Sequence, residues 1–392
     1  MEDTISVDNK ILKLSAYIEE IGIQSWDPYD GLSSPLANYL TFNNPFFKRI
    51  WLQAVKLLPF NIRPFIGILP MTHTKAVSDF ASSYAILFSI TKDERYKRLA
   101  DKYIHSLSNL KVDTASGYGW GLRFPFATRF VQADSNTPNI FQTINALHAY
   151  LDYYEFVIKD DRTLQIINRG LAYLEKDLGY RTEGNSICWN YWKDVHASIF
   201  NVNGLMIGLL ARAGRLLSET NYLTYSAQLL AFLSKYQNSD GSWYYASGDK
   251  ANFIDGFHTG YIIEGMIRAV QLGQLSDTDS VFNKAIQFYL KELFTPDGLP
   301  KYFHNVEKPY DIQNMAQAIQ TLSYLYELGY VKKEFILTIF DHVNKMFWNP
   351  RGYYNYKLNN WYVATTPMHR WATGPMLLAL VNLKLKVISR HE

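Results

Sequence analysis

One unit recurs five or six times between about residue 79 and residue 385: a loop rich in Gly, Trp and Tyr, an apolar helix opened by polar residues, a short Gly/Asp turn, and an amphipathic helix. The apolar helices open near Asp79, Asn139, Asn201, Asp255, Asp311 and His369, at intervals of 60, 62, 54, 56 and 58 residues. A helical hairpin cannot bury its apolar face alone, so hairpins must stack, and this period predicts a closed circular stack. The expected fold is all-α, an (alpha/alpha)6 toroid.

Two kinds of helix alternate. Thr91 to Leu107 places Tyr96, Leu99, Ala100, Tyr103, Ile104 and Leu107 on one face and charge on the other, as an outer helix should. Comparable outer helices are expected near 44–57, 161–177, 219–236, 277–293 and 333–346, with capping signals at Thr91/Glu94 and Ser276/Asp279. By contrast, Asn203 to Ala213 and Gly260 to Val270 are apolar nearly all round and interspersed with Gly and Ala. Such helices are covered on every side and crowd around an axis. Residues 1–43 read as an N-terminal extension holding a helix, Ile11 to Ile21, and 44–392 as six hairpins of one domain.

Composition narrows the functions. The chain has 39 basic and 36 acidic residues mixed throughout, which leaves no basic stripe for nucleic acid. A single cysteine, Cys188, excludes an internal disulfide and a Cys-based zinc cluster. The start, Met1-Glu2-Asp3-Thr4, lacks the features of a signal peptide, so a cytoplasmic protein is expected. Ala372 to Ile388 is interrupted by Asn382, Lys384 and Lys386 and reads as a buried helix, so no transmembrane segment is expected.

Aromatic residues make up 16% of the chain, with 29 Tyr, 23 Phe and 9 Trp, many of them in the long loops that precede the inner helices. These loops fall on one rim of the ring, where a site is expected. Flat rings with polar tips suit contact with sugar rings, and they equally suit wedging loops onto a scaffold.

On that rim the polar helix starts supply the candidates. Asp255 and His258 share a face three residues apart and can serve as acid and base. Asp194, His196, Asp134 and Asp311 are further catalytic candidates, and each of the helix-start acids can instead be an N-cap. Binding candidates are Trp120, Asn139, Trp189, Trp192, Trp243, Asn314, His369, Arg370 and Trp371, with Asp30 from the turn-rich Trp26–Leu32 stretch. The motifs DxDD, DDxxD, HExxH, GxGxxG and GxxxxGK[ST] are missing, so no cofactor or metal is expected.

Trp26-Asp-Pro-Tyr-Asp-Gly-Leu32, Gly119-Trp-Gly121, Thr137-Pro-Asn139, Asp240-Gly-Ser-Trp243, Asp255-Gly-Phe-His-Thr-Gly260, Asp297-Gly-Leu-Pro-Lys-Tyr302 and Arg370-Trp371 span most of the chain. Together they resemble a family of toroid proteins encoded among bacterial and archaeal surface-polysaccharide genes. In that family Arg-Trp runs into a Gln-Ala-Trp segment, whereas here it runs into Ala372-Thr-Gly-Pro375. Gln237 to Trp243 also matches the Q-x3-G-x-W element of squalene-cyclase-type toroids. More distantly the layout resembles six-hairpin glycosidases, uronate lyases and epimerases.

The resemblance implies a glycan or sugar-containing substrate and assigns no catalytic residue. The first expectation is hydrolysis in the central cleft, with Asp255 and one of Asp134, Asp194 or Asp311 flanking a glycosidic bond. The alternatives are uronate epimerisation or elimination, with His258, His196 or a Tyr as base and Arg370 holding the carboxylate, and glycan binding without catalysis.

Overall fold

A computed structural model describes residues 2–127, 132–248, 251–276 and 279–389. The fourteen helices of the described residues begin with α1 (Glu2–Ile21), α2 (Ala37–Leu40) and α3 (Pro45–Leu57). Six inner helices follow in alternation with outer ones: α4 (Thr74–Thr91), α6 (Ile140–Phe156), α8 (Phe200–Leu217), α10 (Gly256–Gln271), α12 (Ile312–Glu327) and α14 (Gly374–Leu383). The last is extended by π-helical turns at His369–Thr373 and Lys384–Ile388. Each inner helix packs on the next, and α14 returns to α4, so the ring closes. The fold is an (alpha/alpha)6 toroid.

Between them run the outer helices α5 (Glu94–Ser108), α7 (Asp161–Ala172), α9 (Thr220–Tyr236), α11 (Ser280–Glu292) and α13 (Lys333–Phe347), each against the inner helix before it. Residues 277 and 278, expected to begin one of these, lie outside the described residues. The caps are the acids two or three residues past the hydroxyls that signalled them: Asp93 accepts from the Arg95 amide and Asp279 from the Val281 amide.

The sixth outer helix is not the 44–57 segment. It is α1, which packs on α14, with Val7, Ile11, Leu14 and Ile18 in the core and Asp8 paired to Lys384 at 2.5 Å. The ring is thus closed by joining the chain's first helix to its last. Helix α3 rests on the 30–33 turn outside the ring, burying only Leu52 and Val55.

Inner helices touch backbone to backbone where the sequence supplies glycine. A Cβ added to Gly265 of α10 would lie 1.8 Å from the Gly204 carbonyl oxygen of α8, so no larger residue fits there. The segment His369–Ile388 is long and apolar enough to cross a membrane, but 78% of it is buried as the ring's closing inner helix.

Long loops and short antiparallel strand pairs cover the rim where the inner helices start, among them Lys111–Asp113 with Tyr118–Trp120 and Tyr180–Glu183 with Ser186–Trp189. This rim holds the central cavity.

Candidate functional site

Five of the six inner helices contribute to a cavity of about 310 Å³ at the centre of the loop face. Its polar groups are Gln142 from α6, Asn201 from α8, Asp255 and His258 from the start of α10, Gln313 from α12, Lys75 from α4, and Arg370 from the turn leading into α14. Its walls are Tyr29, Tyr191, Trp192, Tyr245, Tyr302 and Trp371, with several Phe.

Asp255 organises the most reactive arrangement. One of its oxygens, Oδ1, accepts from the His258 backbone amide at 2.8 Å and so caps α10. The other, Oδ2, lies 2.6 Å from His258 Nδ1. Because a carboxylate only accepts, Nδ1 carries the proton and Nε2 is left to take one. The imidazole is held between Phe257 and Tyr245, whose ring centroids lie 3.8 and 4.8 Å away. His258 keeps 21% of its side chain accessible, while Asp255 is 1% accessible behind it.

Across the wall, Phe257 meets Trp371, and Trp371 lies under the Arg370 guanidinium. Arg370 is held by a bidentate pair with Asp27, Nε to Oδ2 at 2.5 Å and Nη2 to Oδ1 at 2.7 Å. Burial works against the Asp27 charge, but Arg370, His73 and the Tyr29 amide together outweigh it and hold the carboxyl below its usual range. Burial also raises the Tyr191, Tyr245, Tyr261 and Tyr302 phenols, which therefore stay neutral hydrogen-bond donors.

Below the main cavity a smaller polar chamber of about 60 Å³ runs along the ring axis, sharing Lys75, Tyr261 and Gln313 with it. Lys75 pairs with Asp79 at 2.7 Å, and Glu264 accepts from Arg268, Gln317 and Gln320. Burial lifts the Asp79 carboxyl to about 6 against the pull of Lys75. Asp79 thus lies inside α4, one turn past its start, and not at the opening of the helix.

Of the residues expected at a site, the structure brings together Asp255, His258, Trp192, Arg370 and Trp371 in the cavity wall. Asp194 and His196 are exposed on their loop, Asp194 in a left-handed conformation at φ 61° and His196 beside Asn190. Asp134 is an exposed turn residue. Asp311 caps α12 and accepts from the Trp371 indole at 2.8 Å, which puts it behind the wall; burial raises its pKa. None of these four lines the cavity.

Trp120, Trp189 and Trp243 are scaffold. Each indole Nε1 donates to a carbonyl of the preceding outer segment, at Leu107, Leu174 and Leu233, and each ring is buried in the core. Asn139 caps α6. Asn314 ties α12 to the carbonyls of Pro300 and Lys301. His369 bonds the Gly22 carbonyl through Nε2 at 3.0 Å, and burial lowers its pKa to about 4. Asp30 is buried against Arg63 at 2.7 Å, with burial lifting its carboxyl to about 6.

Lys75, Gln142, Gln313 and the tyrosines 29, 191, 245, 261 and 302 also line the cavity, and none of them is among the residues expected from the sequence. Gln142 and Gln313 stand two or three residues after a capping Asn or Asp, a spacing that puts them on the first turn facing the axis. The tyrosines had no such mark, because their facing depends on how the loops fold over the rim. Among the described residues no group of three or more His, Cys, Asp or Glu is placed to hold a metal.

A closed ring of six helical hairpins with a pocket at the inner-helix starts defines the structural class. Cellobiose 2-epimerase from Bacillus thermoamylovorans superposes with a TM-score of 0.62 at 12% identity, over 79% of this chain and 87% of that one. A family 76 glycoside hydrolase (mannosidase) from Bacteroides thetaiotaomicron gives 0.61 at 12% identity, over 81% and 88%. A D-mannose isomerase gives 0.57 at 14% identity, over 79% and 86%. Neither a protein-family model nor a curated protein matches the sequence. At such identities the likeness establishes the toroid and leaves the reaction to be argued from the site.

Proposed function

We propose that this protein is a carbohydrate-active enzyme that abstracts a proton from a sugar carbon next to a carbonyl or carboxylate, with His258 as the base. The observation that carries the reading is the Asp255–His258 contact of 2.6 Å in the cavity wall. Both oxygens of Asp255 are engaged, one by the imidazole and one by the helix amide, so the free Nε2 is the group poised to accept a proton. Removing that proton leaves an enediolate, whose negative charge the Arg370 guanidinium and the neutral tyrosine hydroxyls can stabilise. Returning a proton to the opposite face gives an epimer. Expelling a substituent from the next carbon gives an unsaturated sugar.

Twelve of the 23 lining residues are Phe, Tyr or Trp, which suits the apolar faces of a sugar ring. Solved structures with this fold include a cellobiose epimerase, a mannose isomerase, a polysaccharide lyase and mannosidases, which supports a sugar substrate by analogy. Hydrolysis calls for two acids about 5–9.5 Å apart across one bond. Asp255 is the only acid among the described residues of the lining, which argues against that route. The buried, unpaired Cys188 thiol suits a reducing compartment, and the cytoplasm is the setting we propose.

The test is incubation with reducing disaccharides and uronate-containing oligosaccharides in deuterium oxide. Deuterium at the carbon next to the carbonyl or carboxylate, or an unsaturated product, is expected, and either should vanish in His258→Ala. New reducing ends formed without either sign, and undiminished in His258→Ala, would contradict the reading.

A further inference from the structure

The surface around α3 inverts the usual rule for a helix lying on a globule. Its outward positions are Phe46, Phe47, Ile50, Gln53, Ala54 and Leu57, all apolar but one, while Leu52 and Val55 point inward. Eleven of the twenty large apolar side chains that stand exposed among the described residues fall between Leu36 and Leu69. Tyr39, Phe42 and Phe65 are 80%, 82% and 85% accessible. Trp361, at 93%, belongs with them, since the adjacent Tyr362 hydroxyl donates to the Leu57 carbonyl at 2.6 Å. So large a concentration of apolar surface marks something that covers it.

The charge pattern says what. No acidic residue occurs from Gly31 to Ser78, a stretch in which α3 carries Lys48 in its first turn and Arg49 and Lys56 along one edge of the apolar face. Over the whole chain the two signs are nearly balanced, 39 basic against 36 acidic residues. A helix with Phe, Ile and Leu on one side, basic side chains at its margins and no acids fits the boundary of an anionic bilayer, where rings and methylenes enter the acyl boundary and cations meet phosphates.

We propose that α3, its flanking turns and Trp361 form a docking surface for anionic lipid membranes. The surface is joined to the cavity. Trp51 donates from Nε1 to the Gly31 carbonyl at 2.8 Å, and Lys56 Nζ lies 2.6 Å from the hydroxyl of Tyr29, a cavity-wall residue. Docking therefore sets the lipid surface beside the segment that walls the site. The proposal rests on the surface alone and holds whatever reaction the cavity performs.

The test is flotation of the full chain with phosphatidylcholine vesicles, with and without phosphatidylglycerol. Binding is expected to be at least about tenfold stronger to the anionic vesicles and to weaken with salt. The Phe46→Ser/Ile50→Ser variant should lose about tenfold in vesicle binding with an unchanged melting temperature, since both side chains are already exposed. Lys48→Glu/Arg49→Glu should erase the preference for anionic lipid. No binding to either vesicle, or binding unaffected by Phe46→Ser/Ile50→Ser, would overturn the proposal. So would a concentration-dependent dimer in sedimentation that this variant dissociates, since a second copy would then be the occupant.

Discussion

Asp255 and Asp311 hold the same place in consecutive repeats, each capping an inner helix, and they have opposite fates. Three residues beyond Asp255 stands His258, which faces the cavity and takes the second carboxylate oxygen. Three residues beyond Asp311 stands Asn314, which turns to the carbonyls of Pro300 and Lys301 and braces a loop. The Trp371 indole donates to the same Oδ1 of Asp311 that caps the helix, so no imidazole stands beside this carboxylate. The start of α14 resembles the start of α12 in this respect, since His369 is a buried brace. A repeat supplies a capped helix start, and the residue one turn later decides whether it braces a loop, as Asn314 does, or faces the cavity, as His258 does.

The largest effect expected from this contrast is on turnover. His258→Ala should lower kcat by about 100-fold or more, the usual worth of a positioned base. Asp255→Asn should act in the same direction while leaving the cap nearly intact, because Asn is as good a cap as Asp. A variant of either kind that retains full activity would break the contrast.

Next in size is a pH effect at the start of α14. His369 is neutral in the fold, with its pKa lowered from 6.5 to about 4, so the unfolded chain binds the extra proton between those values. Stability from this group is complete above about pH 6.5 and is lost as pH falls toward 4, by about 3 kcal/mol at most. The raised carboxyls of Asp30 and Asp79 work in the opposite sense, losing stability as pH rises toward about 6. Comparing urea midpoints of the native chain with His369→Gln isolates the histidine. The stability lead of the native chain should shrink on going from about pH 7 to about pH 4.5, and an unchanged lead would refute the assignment.

Smaller still is Trp189→Phe, which removes the indole bond to the Leu174 carbonyl while the Gly179 amide still donates to it, and should cost about 1 kcal/mol in thermal or chemical denaturation without altering kcat. Trp192→Phe should do the reverse. Its indole nitrogen has no partner and its ring lines the cavity, so binding should change more than stability. The smallest effect is expected for Asp311→Asn, which keeps the cap and an acceptor for Trp371: a few tenths of a kcal/mol and near-native turnover.

The toroid was legible because an apolar inner helix and a one-faced outer helix impose different patterns, and their alternation repeats. The exchange of roles between α1 and α3 was not. Both carry apolar residues at helical spacing, and the pattern does not say whether a face meets a neighbour or solvent. Within the site, Asp255 with His258 and Arg370 with Trp371 were legible from spacing at a helix start. The tryptophans misled: Trp120, Trp189 and Trp243 recur at one point of the repeat because each pins a loop to the preceding outer helix, and recurrence of that kind signals scaffold. Tyr29 and Arg370 reach the cavity through a segment some 340 residues away in sequence, as the Asp27 pairing with a separation of 343 makes plain. No local pattern encodes such a contact.

A crystal structure with a sugar bound would show whether the start of α10, among the capped helix starts, carries the chemistry. Expected is a sugar carbon with a carbonyl or carboxylate neighbour within hydrogen-bonding reach of His258 Nε2, and Arg370 toward its oxygen. A glycosidic oxygen seated against Asp134, Asp194 or Asp311, with His258 remote from the sugar, would contradict it.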